Sequence, residues 1–182
     1  NNVSIIGPNA VTTVGDKVFW MDRENFYVYT GRVQTIPCTL LRYVFDDINL
    51  EQNFKCFAAS NKMFDEVFWF YPSSGSQENN RYCKYNYREN VWDVGTMDRT
   101  AWSDASTFAN NIGAGADNYL YSHEIGTDAD GQPLVAYIES ADMDIGDGEQ
   151  VMFIDRALPD LNVSGTAHVT FKSRNDALSS FT

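Results

Sequence analysis

Basic residues are scarce in this sequence: 13 Lys and Arg stand against 25 Asp and Glu over 182 residues, giving a formal net charge of −12. A chain of this sign repels phosphate backbones, which excludes sequence-independent nucleic-acid binding across a broad face. The acidity has two readings, as a source of solubility or as the negative lining of a passage through which nucleic acid slides without sticking. Histidine is nearly absent; His123 and His168 lie in unrelated stretches, and neither has a partner at metal-ligand spacing. The three cysteines, Cys38, Cys56 and Cys83, are odd in number and form no CxxC, which argues against a disulfide framework and a structural zinc site. Free, mostly buried thiols are expected. No apolar run approaches the ~20 residues that span a bilayer, and no charged-then-apolar leader opens the chain. Walker, GxGxxG and GxSxG motifs are missing too, so nucleotide and acyl-transfer chemistry have no local support. The chain starts at Asn1 rather than Met, as a segment of a longer protein would.

What the sequence does have is aromatics, 14% of the chain, with ten Tyr, twelve Phe and four Trp. Planar side chains of this kind suit half-buried sheet surfaces. They recur in register: Asp16-Lys-Val-Phe-Trp20, Asp65-Glu-Val-Phe-Trp69 and Asp117-Asn-Tyr-Leu-Tyr121 repeat at roughly fifty residues, the signature of a repeat architecture and here of β-propeller blades. The expected fold is all-β, with about three antiparallel propeller-like units belonging to a larger propeller, one short helix, and a β-sandwich-like segment after them. The units span 10–50, 51–104 and 105–140, and the β-rich C-terminal segment spans 141–182.

Unit one reads as four strands, 10–14, 17–21, 26–29 and 32–36, separated by polar turns. Unit two repeats the plan with 54–60, a dense aromatic strand at 66–71 buried on both faces, 81–87 and 91–94. The stretch 40–50 lacks Gly and Pro and sets Leu41, Val44, Phe45 and Ile48 at helical spacing. In unit three, 111–116 is a small-residue inner strand, and 119–125 pairs with 134–140 around the turn 126–131. Strands of sandwich character are expected at 150–156 and 167–172, followed by a polar tail.

Reactive constellations are thin, and no catalytic residue or cofactor is expected. Weak metal candidates are Asp128, Asp130, Asp144 and Asp147, whose carboxylates begin as a calcium loop does; Pro133 and Leu134 interrupt the alternation of ligands, and a hairpin turn explains Asp130-Gly131 without metal. Trp69, Tyr71, Tyr82 and Trp92 could stack on sugar rings, against the alternative that they pack the core. Paired carboxylates across a groove would cleave glycans. Candidate interface residues are Arg42, Asp46 and Asn49 in the helical segment, and Ser73, Gln77 and Asn80 in 72–80, read as a polar loop without core-forming residues.

Several stretches, among them Arg32-Val-Gln-Thr-Ile-Pro-Cys-Thr39, Val44-Phe-Asp-Asp-Ile-Asn49, Glu66-Val-Phe-Trp-Phe-Tyr71, Tyr85-Asn-Tyr-Arg-Glu-Asn-Val-Trp92, Arg99-Thr-Ala-Trp102, Ala141-Asp-Met-Asp-Ile-Gly-Asp-Gly148 and Leu158-Pro-Asp160, resemble tailed-bacteriophage virion proteins. The similarity is to the propeller-bearing part of podovirus tail proteins of the tubular or nozzle type. It implies a non-catalytic structural subunit of a homo-oligomeric ring, commonly sixfold, around the genome-delivery channel. Other tail proteins would be its partners, it would reside in the virion after a soluble stage in the host cytoplasm, and it would have no specific nucleic-acid binding and no membrane span. Three units are too few to close a propeller of four to eight blades. The alternatives are a carbohydrate- or receptor-binding β-module and a glycan-cleaving enzyme.

Overall fold

The computed structural model describes residues 3–106, 108–129, 131–133, 139–140, 143, 150–163 and 166–174. The chain divides into two compact units, Asn1–Thr127 and Asp128–Thr182, a boundary that falls inside the third expected repeat.

The first unit is built from antiparallel meanders. Strands β1 (Val11–Val14), β2 (Lys17–Met21), β3 (Phe26–Tyr29) and β4 (Val33–Ile36) form one four-stranded sheet in sequence order. Strands β5 (Phe57–Asn61), β6 (Glu66–Tyr71), β7 (Arg81–Asn86) and β8 (Val91–Thr96) form a second on the same plan. Short turns join them, and left-handed backbone falls where the chain reverses: Gly15 at φ 61° between β1 and β2, and Asp65 at φ 58° before β6. The helix α1 (Leu41–Phe45) and a 3-10 helix (Leu50–Lys55) connect the two sheets. Val44 and Ile48 are buried and Leu41 and Phe45 pack beside them, so the helical spacing in the sequence has its physical cause. The 3-10 helix takes up residues 54 and 55, which delays β5 to Phe57.

Strand alternation gives each sheet two faces. From the first sheet, Phe19, Met21, Phe26 and Ile36 enter one core with Val67, Trp69, Tyr71, Cys83 and Tyr85 of the second. Phe26 is the hub: its ring lies 4.7 Å from Trp69, 4.6 Å from Trp92 and 5.3 Å from Phe45. The second sheet's other face carries Phe57, Ala59, Phe68 and Phe70, with Tyr82, Met97 and Trp102 packed on them. Five of the six β6 residues are therefore buried, as its unbroken aromatic run requires. Beside β1, Ala58 N–H donates to Asn9 O at 2.8 Å, tying the start of the first sheet to β5. Gly7 sits under the 3-10 helix, where any Cβ would collide with the Asn53 carbonyl.

Two carboxylates fasten loose segments. Asp22 accepts from the Ser4 hydroxyl and, at 3.3 Å, from the Ser4 amide. Burial opposes its charge, but these bonds and that from Arg23 N–H win and hold its carboxyl below the ordinary range. Asp104 makes the same pair of bonds to Ser60, 2.9 Å from the amide and 2.5 Å from the hydroxyl.

The third repeat departs from expectation. Strand β10 (Ile112–Ala114) is central, between β9 (Ala101–Ser103) and β11 (Leu120–Ser122), rather than an inner edge. The segment expected to pair with 134–140 instead pairs back onto β10, matching Gly113 with Tyr121. The glycine lets this happen, since a Cβ there would strike the side chains of Arg99 and His123. Most of 134–140 lies outside the described residues.

In the second unit, β12 (Asp128–Ala129) and β13 (Gln132–Pro133) make a tight hairpin. The described residues of 150–163 and 166–174 form no strand, so the expected sandwich is not seen in them. Val151 is 100%, Phe153 88% and Leu158 83% exposed, and alternation without a covering layer cannot hold a sheet.

The two repeat tryptophans should differ sharply in stability effect. Replacing fully buried Trp69 with Ala is expected to cost about 3–5 kcal/mol. Replacing Trp20, which lies on the open face of the first sheet, is expected to cost roughly 1 kcal/mol, in line with an outlying substitution. Urea denaturation of both variants measures the difference, and equal losses would refute this assignment of faces.

Candidate functional site

The helical connector and the loop 72–80 form one continuous surface. Asn49 caps the 3-10 helix by accepting from Glu51 N–H at 3.1 Å and donates to Ser76 O at 2.9 Å. Its own amide bonds Pro72 O at 2.9 Å, and Ile48 bridges to Ser73. Asn80 closes the loop, its Oδ1 accepting from Ser73 N–H at 2.9 Å and its Nδ2 donating to Ser73 Oγ at 3.0 Å. Gln77 Oε1 accepts from Gln52 Nε2 at 2.9 Å, and Lys55 Nζ donates to Gln77 O at 2.7 Å.

All six predicted interface residues thus lie in one structural neighbourhood, but their roles divide. Arg42, Asp46 and Gln77 are exposed, with Arg42 and Asp46 in an i,i+4 pair at 3.8 Å. Ser73, Asn49 and Asn80 are spent on internal bonds. The reading of 72–80 as a loop without core-forming residues is corrected: Pro72 is fully buried, Ser73 is buried, and Asn79 is 2% exposed while donating to Lys55 O at 2.8 Å. A polar side chain can be a core element when it satisfies the backbone of a neighbouring segment.

Next to this surface opens a cleft of about 440 Å³ lined by Arg42, Tyr43, Asp46, Asp47 and Arg81. Arg81 comes from β7 and reaches Tyr43 Oη at 3.2 Å and Asp47 Oδ2 at 3.5 Å. Tyr71 Oη lies buried without a hydrogen-bond partner, and Arg81 Nε and Asp47 Oδ2 meet as an ion pair without hydrogen-bond geometry. Burial, then the neighbouring Cys83 and Asp47, push the Tyr71 phenol well above its ordinary range, so it remains a neutral donor. The cleft offers the Arg42 and Arg81 guanidinium groups and the Tyr43 phenol to a carboxylate or carbonyl of a docking chain. Asp47 and Arg81 were not singled out from the sequence, since they meet only because β7 returns beside the connector.

A second cavity, of about 510 Å³, is bordered by Pro37, Thr39, Tyr85, Asn90, Val91 and Trp92. Trp92 does not offer a free stacking face: its ring packs 4.6 Å from both Phe26 and Tyr85, and Nε1 donates to Pro37 O at 2.8 Å. Trp69 and Tyr71 are fully buried, and Tyr82 lies against Phe68 at 5.5 Å, so these aromatics serve the core.

A cluster that the sequence did not reveal gathers on the third sheet. His123 Nε2 accepts from Arg99 Nε at 3.0 Å, its ring lies 4.5 Å from Trp102, and the Arg99 guanidinium stacks 4.2 Å from the Tyr121 ring. Burial and the Arg99 charge hold the imidazole neutral, bringing its pKa down from 6.5 to about 4. Tyr121 Oη donates to Asp117, which keeps that carboxyl below the ordinary range.

Among the metal candidates, Asp128 is exposed and its Oδ1 accepts from Gly131 N–H at 2.8 Å, the bond of a hairpin turn. Asp130, Asp144 and Asp147 lie outside the described residues. No His, Cys, Asp and Glu group placed to hold a metal ion occurs among the described residues. No helix among them is long and apolar enough to cross a membrane. Neither a protein-family model nor a curated protein matches the chain.

Two measurements probe these groups. Asn79→Ala is expected to destabilise the fold by about 1–3 kcal/mol, the cost of leaving a buried carbonyl unmet, whereas Arg42→Ala should change it by less than about 0.5 kcal/mol. Because the folded pKa of His123 is depressed, its contribution to stability is complete above pH 6.5 and is lost as pH falls toward 4. Denaturation midpoints across that window should fall less steeply for His123→Gln than for the wild type.

Proposed function

We propose that this chain is a non-catalytic structural module of a bacteriophage tail, of the tubular or nozzle type, whose sheets are successive propeller blades and whose open faces pack against further blades or neighbouring subunits. The observation that carries the reading is the polarity of the repeat. In unit two, Phe68 of the repeated Asp-x-x-Phe-Trp stretch faces forward to Trp102, 6.1 Å away, while Trp69 faces back to Phe26 at 4.7 Å. Phe19 of unit one likewise faces forward, 6.4 Å from Tyr85. Trp20 therefore occupies the backward-facing position, which in unit two is covered by a preceding sheet. Tyr121 of the third copy shares the backward face with Trp102, and Leu120 faces forward, 75% exposed.

The open backward face is apolar. Val11 pairs with Trp20 and Trp20 with Tyr27, and on the same face Tyr29 is 44% and Val33 50% exposed. A lone domain of this size rarely leaves such a row to water, and the simplest cover is another sheet of the same kind. Exposed Val151, Phe153 and Leu158 in the C-terminal unit add a second apolar surface in need of a partner. The Arg42–Arg81 cleft supplies polar anchoring at the rim. The acidic surface suits a channel wall that nucleic acid passes without adhering.

A carbohydrate- or receptor-binding module is the second reading, favoured by the Trp20–Tyr27 pair, stacked at 5.5 Å and 19° on the same face. Sedimentation and negative-stain microscopy distinguish the two. Assembly is expected to be concentration-dependent and ring-forming, and Tyr29→Glu with Val33→Glu should weaken it by at least about tenfold, or ~1.4 kcal/mol, without lowering the denaturation midpoint. A strictly monomeric protein that binds glycans and loses them on Trp20→Ala would overturn the structural assignment.

A further inference from the structure

Cys38 and Cys83 are 45 positions apart in sequence, yet Cys38 packs against the buried cluster that contains Cys83, and each thiol shifts the other's protonation. Cys38 lies in the connector just after β4, and its Sγ accepts from Leu40 N–H at 3.4 Å. The residue before it is fixed to the second sheet by the 2.8 Å bond from Trp92 Nε1 to Pro37 O. Cys83 stands in the middle of β7, opposite Trp69 and Val94, and is fully buried. The connector therefore packs one half-buried thiol against the cluster in which the other is fully buried.

We propose that Cys38 and Cys83 form a reversible disulfide that locks the first sheet to the second, with Cys38 as the attacking and Cys83 as the resolving thiol. The oxidant is a low-molecular-weight disulfide such as glutathione disulfide. The Cys38 thiolate attacks one of its sulfurs, forming a mixed disulfide and releasing one glutathione thiolate. Cys83 then gives up its proton to water, and its sulfur attacks Cys38 Sγ and expels the second glutathione. Two protein thiols and one glutathione disulfide thus become one protein disulfide and two glutathione thiols.

The division of roles follows from surroundings. Cys38 is half-buried, and the neighbouring Cys83 thiol holds its own below the ordinary range despite partial burial. Burial, reinforced by Cys38, pushes the Cys83 thiol well up, which suits a group that reacts only once its neighbour has been activated. Cys56 is the internal control: it is 1% exposed, and burial pushes its thiol up to about 12. It belongs to the turn after the 3-10 helix and has no role in the exchange. A closed loop from 38 to 83 restricts the unfolded chain, so the oxidised form should be harder to denature.

The test incubates the folded chain with a graded series of reduced and oxidised glutathione, followed by acid quench, intact mass and peptide mapping. The wild type should lose the mass of two hydrogens, and titratable thiols in denaturant should fall from three to one. The mapped link should join the peptides of Cys38 and Cys83, and the denaturant midpoint should rise and return on reduction. Cys56→Ser should behave as the wild type, whereas Cys38→Ser should give neither link nor adduct. Cys83→Ala, which keeps the core apolar, should stop at a glutathione adduct on Cys38. A persistent adduct in the wild type, a link involving Cys56, or no change in mass across the series would overturn the proposal.

Discussion

The wedge of Phe26 between Trp69, Trp92 and Phe45 is the contact on which the rest of the first unit depends. It joins one sheet, the other sheet and the connecting helix in a single packed cluster. Aromatic rings supply most of this interface because each buries a large area at few rotatable bonds. The central position falls to β6, whose Val67, Trp69 and Tyr71 serve this core while Phe68 and Phe70 serve the next. A strand used on both faces has no tolerance for polar substitution.

Polar groups then fix what the apolar contacts leave loose. Asp22 on Ser4 and Asp104 on Ser60 are the same device at two places: a carboxylate that meets both the amide and the hydroxyl of one serine. The loop 72–80 is handled with neutral groups, Asn79 and Asn80 meeting backbone atoms of the connector and of the loop itself. Asparagine suits this task because one short side chain both donates and accepts. The outcome is a rigid rim from which Arg42, Asp46 and Gln77 project, next to a cleft lined by Tyr43 and the Asp47–Arg81 ion pair.

Direction along the stack links fold to proposed role. Successive members of a repeat show the same side of each sheet to the same neighbour, so any truncated stack has one open face at each end, and the two are of opposite kind. Contacts between unlike faces propagate in one sense and close only by rotation, which is the geometry of a ring. The Cys38–Cys83 pair sits inside the first of these sheet-to-sheet joints. A covalent lock there would stiffen a joint otherwise held by packing and a few hydrogen bonds.

Much of the architecture was legible from residue order. Two-residue alternation, Asp and Gly at reversals, and the recurrence of Asp-x-x-Phe-Trp located the strands of both four-stranded sheets, and helical spacing located α1, because these signals are local and each is caused by a face that must be buried. The candidate interface was legible as a region and not as residues: Ser73, Asn49 and Asn80 look like surface polars until the chain's return places backbone groups beside them. The third sheet was misread because β9 comes from what the pattern assigns to unit two, and Gly113 signalled close packing without naming Arg99 and His123 as what packs there. By itself the sequence determined the strands of the two four-stranded sheets, the acidic balance of charge and which residues seek burial. Only the tertiary structure decided which face meets which, where Arg81 meets Asp47 and Cys38 meets Cys83, because those meetings depend on sheets stacking across dozens of residues, a distance over which periodicity carries no information.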